Sequence, residues 1–152
     1  DEFYVNLCGG KLKPVLATLK RLAQSDTGFE IVVLVIPSLN DEMDEIKKMA
    51  AWIVKELGTD VPLHFTRFHS QYKIRNLPPT PVKTLQKARQ IAMKEGCNFV
   101  YTGNTPDIDS ASTRCPQCGA KVVQRYRMFL MRNSLKNNKC HNCGANIPGV
   151  WT

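Results

Sequence analysis

The sequence predicts an α/β fold of three βα units with parallel strands, followed by a small four-cysteine metal domain. Three observations predict it. Apolar runs of helical period alternate with short β-branched runs in the order α-β-α-β-α-β, the pattern of parallel strands joined by crossover helices. One of those runs, "EIVVLVI", is continuously apolar, as strands covered on both faces are. Four of the six cysteines fall in two C-x-x-C pairs near the end of the chain.

Taken in order, residues 11–25 place Leu12, Val15, Leu16, Leu19 and Leu22 at helical spacing. Pro14 falls in the first turn, where its missing N–H costs least. The strand "EIVVLVI" follows, then "PSLND", in which Asn40 or Asp41 is placed to cap a helix over Glu42–Leu57 that Gly58 ends. "PLHFTRF" is the second strand. Period two sets Phe65, Arg67 and His69 on one face, and His64, Thr66 and Phe68 on the other. A proline-rich loop leads to a third helix, about Val82–Glu95, with Thr80 as its expected cap and Gly96 as its stop. "NFVYTG" is the third strand. The division is then residues 1–103 for the α/β part, 104–113 for a linker and 114–152 for the metal domain.

A chain of 152 residues is the size of one domain with an appendage. No apolar run approaches a membrane span and nothing resembles a signal peptide, so the expected setting is cytosolic with no membrane partner. The first residue is Asp, and we read the sequence as a fragment of a longer product. The net charge of +8 is uneven: residues 114–152 hold seven Lys+Arg and no acid. That asymmetry fits an anionic partner, and it equally fits a domain whose charge is offset by metal-bound thiolates.

"CPQCG" and "CHNCG", with 21 residues between the pairs, have zinc-ribbon spacing. Cys115, Cys118, Cys140 and Cys143 give four sulfurs for one tetrahedral ion, zinc or a single iron, in a closed structural site. His141 is a bystander to a completed shell. Cys8 and Cys97 stand alone and read as buried small hydrophobes. "VVQRYRMFLMRNSL", between the pairs, mixes basic and aromatic residues. It suits either nucleic acid or a ribbon hairpin that is basic on one face and apolar on the other.

Active sites of α/β sheets gather at the carboxyl ends of the strands. The polar residues there are Asn40 and Asp41, Arg67 and His69, and Asn104. Arg beside His on one strand face does not arise from turn or cap chemistry. Asn40, Asp41 and Asn104 are equally at home in caps and turns.

Together "FYVNLCGGKLKPVLATLK", "LVIPSLNDEMDEIKKMAAWI", "DVPLHFTRFHSQYKIRNLPPTPVKTLQKAR", "YTGNTP", "CPQCG" and "CHNCGANIPGVW" resemble the carboxyl-terminal half of the AmmeMemoRadiSam system radical S-adenosylmethionine (SAM) enzymes. Those enzymes are similar to pyruvate formate-lyase activating enzymes. The resemblance covers nearly all of the chain. It implies the last three strands of a partial (β/α) barrel, with a ribbon added. In a full-length member it implies a [4Fe–4S] cluster on an upstream C-x-x-x-C-x-x-C loop. It further implies bound SAM, cleaved reductively to a 5′-deoxyadenosyl radical that abstracts hydrogen from a substrate, a protein being one option. His69, Asn40, Asp41 and Asn104 match positions near SAM, and Arg67 is assigned by geometry to a carboxylate of SAM or substrate. Val32 stands about where the activating enzymes carry a further arginine. This chain has no C-x-x-x-C-x-x-C, so alone it should neither hold the cluster nor cleave SAM. A nucleic-acid- or protein-binding ribbon on an α/β scaffold is the alternative expectation.

Overall fold

A computed structural model describes residues 2–126, 129–149 and 151. Among them a short helix α1 (Glu2–Asn6) precedes α2 (Leu12–Ala23), β1 (Ile31–Val35), α3 (Met43–Leu57), β2 (Leu63–Arg67), α4 (Val82–Lys94) and β3 (Val100–Gly103). Then come β4 (Thr113–Arg114), β5 (Lys121–Tyr126) and β6 (Phe129–Asn133). The chain is thus mixed α/β. The parallel sheet β1-β2-β3 sets Ile31 opposite Leu63 and Leu63 opposite Val100; the second sheet, β4-β5-β6, is antiparallel.

The main core lies on one face of the parallel sheet. Leu63 and Phe65 are fully buried against Ile46, Ala50 and Ile53 of α3 and Leu85, Ala88 and Ala92 of α4. The three alanines let both helices approach the strands closely, and burial of Phe65 contributes about 2–3 kcal/mol. Helix α2 lies against α3 through the Lys20–Glu56 ion pair at 2.6 Å but buries none of its own residues.

The other face is open along β1 and is covered at β3 by the cysteine region. Val32 and Leu34 remain 64% and 44% exposed, and they share that face with His64, Thr66 and Tyr101. The expectation that "EIVVLVI" is covered on both faces therefore fails within this chain, because its described helices cover a single side. His64 stacks on Tyr101 with ring centroids 4.9 Å apart. Its Nε2 lies 2.9 Å from Glu30 Oε2, but without the alignment of a hydrogen bond.

Three helix-cap expectations are corrected. Glu42 and Pro81 occupy the cap positions of α3 and α4, and neither helix has a side-chain cap bond. Asn40, Asp41 and Thr80 spend their side chains on loops and strand ends instead. Gly58 and Gly96 do end their helices, at φ +100° and +107°, where a Cβ is disfavoured. Of the lone thiols, Cys97 is buried as expected and Cys8 is exposed, because α1 buries nothing.

A second core joins the two sheets. Phe99, one residue before β3, packs with Cys115, Val122, Val123, Cys140 and Ile147. The segment read as a linker is built in as well. Ser110, Ser112 and Thr113 are buried, Thr102 N donates to Ser110 O at 3.2 Å, and the Thr102 and Ser110 hydroxyls are bonded to each other. The cysteine region therefore lies over the β3 side of the parallel sheet, while β1 forms its open edge.

The hairpin between the cysteine pairs forms as β5–β6, yet it does not divide into an apolar and a basic face. All of β6 is exposed, apolar residues included. Arg127 lies outside the described residues. No helix among those described is long and apolar enough to cross a membrane.

Candidate functional site

The four cysteines are held by two matching knuckles. In the first, Gly119 N donates to Cys115 O at 2.9 Å and Cys115 N to Ala120 O at 2.8 Å. In the second, Gly144 N donates to Cys140 O and Cys140 N to Ala145 O at the same distances. Gly119 and Gly144 have φ of +73° and +75°, which turn the following N–H groups, of Ala120 and Ala145, onto Cys118 and Cys143. Cys115 and Cys140 are buried, and Cys118 and Cys143 are exposed.

All four sulfurs lie within 4.8 Å of one another, with Cys115–Cys143 at 3.6 Å and Cys118–Cys140 at 3.7 Å. A disulfide would need about 2.05 Å. Tetrahedral sulfurs about 2.3 Å from a central ion stand about 3.8 Å apart, so the donor set fits a metal. The proton chemistry agrees. The Ala120 N–H and the Asn142 side chain bring the Cys118 thiol down to about 6. At Cys143 the Ala145 N–H also pulls downward. Hydrogen bonds from Cys118, Cys115 and Cys140, together with burial, outweigh it and push the thiol up to about 12. Cys118 ionises readily and Cys143, hydrogen-bonded to the other sulfurs, then resists. A central cation removes that resistance.

Asp109 joins this region to the preceding segment. Its carboxylate accepts from Lys121 Nζ at 2.8 Å and from Arg114 Nη2 at 2.8 and 3.1 Å. The Lys121 bond holds Asp109 below the usual carboxylate range, against a smaller opposing effect of burial and with help from Arg114. A depressed folded pKa adds stability that is complete above the ordinary carboxylate pKa and is lost as pH falls through the folded value. Asp109→Asn is therefore expected to cost under about 1 kcal/mol at pH 7, the side chain being 55% exposed. In strong acid it should cost nothing. Urea midpoints of the metal-loaded chain at pH 7 in low and high salt check the ionic role, and an equal loss at both would refute it.

At the strand ends the expected polar set divides. Asn40 closes the loop after β1, accepting from Ile36 N at 2.7 Å and donating to Leu34 O at 2.9 Å. Asp41 accepts from Ser38 N at 2.8 Å, steadying Ser38 at φ +63°. Arg67 follows Leu63 and Phe65 onto the helix-covered side, and its Nε donates to Thr80 O at 2.8 Å. His69 is exposed two residues past the end of β2. Asn104, also exposed and at φ +57°, donates from Nδ2 to Arg67 O at 3.3 Å and so ties the end of β3 to the end of β2. Asn40, Asp41, Arg67 and Asn104 thus all hold backbone, and of the five His69 and Asn104 are exposed.

Thr80 is the residue whose role the sequence did not disclose. It is fully buried; its hydroxyl donates to Val35 O at 2.5 Å and accepts from Phe68 N at 3.0 Å. The one sequence signal was its place before Pro81, which pointed to the wrong bond.

No family model matches the chain. It is similar to the uncharacterized protein MJ0808 of Methanocaldococcus jannaschii, 37% identical over 151 residues. The match takes in 98% of this chain and 45% of the relative, so the chain spans less than half the length of the curated relative it matches.

Proposed function

We propose that this chain is the carboxyl-terminal part of a radical SAM enzyme of the AmmeMemoRadiSam type, closing one side of a partial (β/α) barrel and carrying a structural zinc ribbon. The observation that carries the reading is the exposed Val32 and Leu34 on one face of a parallel sheet whose β1 edge is open among the described residues. Parallel sheets are ordinarily covered on both faces. Helix α2 occupies the place of a crossover helix, against α3, with no strand before it among the described residues. An upstream strand pairing with β1 would satisfy the edge, and its neighbours would enclose Val32, Leu34, His64 and Tyr101. The archaeal relative is more than twice as long as the stretch matched, which leaves room for such a portion.

Within this reading His69 and Asn104 are the residues left to meet SAM. Asn40, Asp41 and Arg67 position the loops around them, and no residue of this chain is assigned to the chemical step. The closed four-sulfur site does not fit a [4Fe–4S] cluster with an open iron, so the cluster belongs to upstream residues. When bound there, it would supply the electron that cleaves SAM. Zinc fits the ribbon best, because four cysteine sulfurs complete its tetrahedral shell and a structural site needs no redox change.

The test is a polypeptide extended upstream of Asp1 to the length of the relative. Three cysteines spaced C-x-x-x-C-x-x-C are expected there, with reductive SAM cleavage after cluster loading. His69→Ala should weaken SAM binding about tenfold, or about 1.4 kcal/mol. An upstream segment without that triad would remove the class, and unchanged SAM affinity would remove the role of His69. Elemental analysis of the present chain should give one zinc, or one iron, and no four-iron cluster.

A further inference from the structure

We propose that the free edge of β6 is a docking strand for an extended acidic segment of a partner polypeptide. β6 is the outer strand of the second sheet and among the described residues pairs with β5 alone. Phe129, Leu130 and Met131 are 69%, 62% and 63% exposed. Edge strands are ordinarily blunted by charge, proline, a bulge or a covering loop, and here Arg132 and a bulge at Met131 do so only in part. Three successive large apolar residues remain on the open edge, and such patches mark interaction surfaces.

A bulge opposite Gln124 and Arg125 interrupts the alternation: Arg132, opposite Gln124, and Phe129, opposite Tyr126, lie on one side, and Leu130, opposite Arg125, on the other. On the first side Arg132 and its cross-strand neighbour Gln124 line a cavity of about 120 Å³ with Lys121, Ser134 and His141. Every one of these side chains offers a hydrogen-bond donor, and Lys121 already spends one on Asp109. The cavity has the size and donors for a carboxylate. An added strand would pair its backbone with the outward groups of β6 and set apolar side chains over Phe129 and Leu130. Its acidic side chain would lie beside Arg132.

Charge and shape select this occupant. Residues 114–152 contain no acid, so a second copy pairing β6 with β6 would set cation against cation. Single-stranded nucleic acid stacks successive bases on several rings, whereas this side offers Phe129 and a less exposed Tyr126 beside a row of unpaired strand backbone, which suits polypeptide better.

A display library of random twelve-residue peptides, panned on the metal-loaded chain, tests this. Enrichment of sequences that set an acidic residue among apolar ones is expected. A peptide made from them should slow amide exchange over Phe129–Asn133 and bind at least tenfold more weakly to Arg132→Glu and to Leu130→Asp. Both positions are exposed, and unchanged metal content would show that each variant folds. Enrichment indifferent to both variants, or no enrichment, overturns the proposal. So does tighter binding of a twelve-nucleotide oligouridylate at the same residues. Concentration-dependent dimerisation that protects β6 would assign the edge to a second copy. Protection of β6 in the upstream-extended polypeptide would assign it to the chain itself. That last result would leave the SAM reading intact, and failure of SAM cleavage would leave this one intact.

Discussion

Removing the metal, by chelation or by Cys140→Ser, is expected to unfold the cysteine region while the parallel sheet and its helices survive. The second core holds six buried residues, two of them the metal ligands Cys115 and Cys140. So small a core does not offset the entropy of ordering its chain without help. Structural zinc in comparable peptides supplies roughly 10–16 kcal/mol of apparent binding energy at pH 7, most of which appears as folding energy. Amide exchange should therefore accelerate over Lys121–Tyr126 and, because Phe99 sits in the same core, at β3. Exchange around Phe65 and Ile53 should change little. A chelated chain that still protects Val122 and Val123 would refute this account.

Thr80→Val should be the most damaging near-isosteric change at the strand ends. Valine keeps the shape but strips Val35 O and Phe68 N of their buried partner. Each of the two orphaned groups costs about 1–3 kcal/mol, so a total of about 2–6 kcal/mol is expected. For a chain of this size that lowers the thermal midpoint by roughly 4–24 °C. Thr80→Ser keeps both bonds and loses one methyl, about 1 kcal/mol. If serine proves as harmful as valine, packing rather than hydrogen bonding explains the position.

The elements that the sequence disclosed were those with a strong period. Ile46, Ala50 and Ile53 recur at helical spacing and are buried together, and the helix ends at Gly58 and Gly96 follow from glycine's freedom at positive φ. The metal site was legible for a similar reason, since C-x-x-C followed by glycine fixes a local backbone geometry. Side-chain partners across loops were not legible. Asn40, Asp41 and Thr80 have equal chemistry for a helix end and for a carbonyl on a neighbouring strand, and tertiary placement alone decides between them. Nor did hydropathy distinguish a sheet covered on both faces from one covered on a single face. Val32 and Leu34 carry the pattern of a buried strand although nothing among the described residues covers them.

Phe99 makes the cysteine region difficult to discard. It enters the second core one residue before β3 begins, so the two parts share an aromatic ring rather than a tether. A stop codon after Gly103 would leave that ring in water at the sheet's margin and invite clumping. Lineages that shed the ribbon would have to recode position 99 towards a hydrophilic residue in step with the deletion.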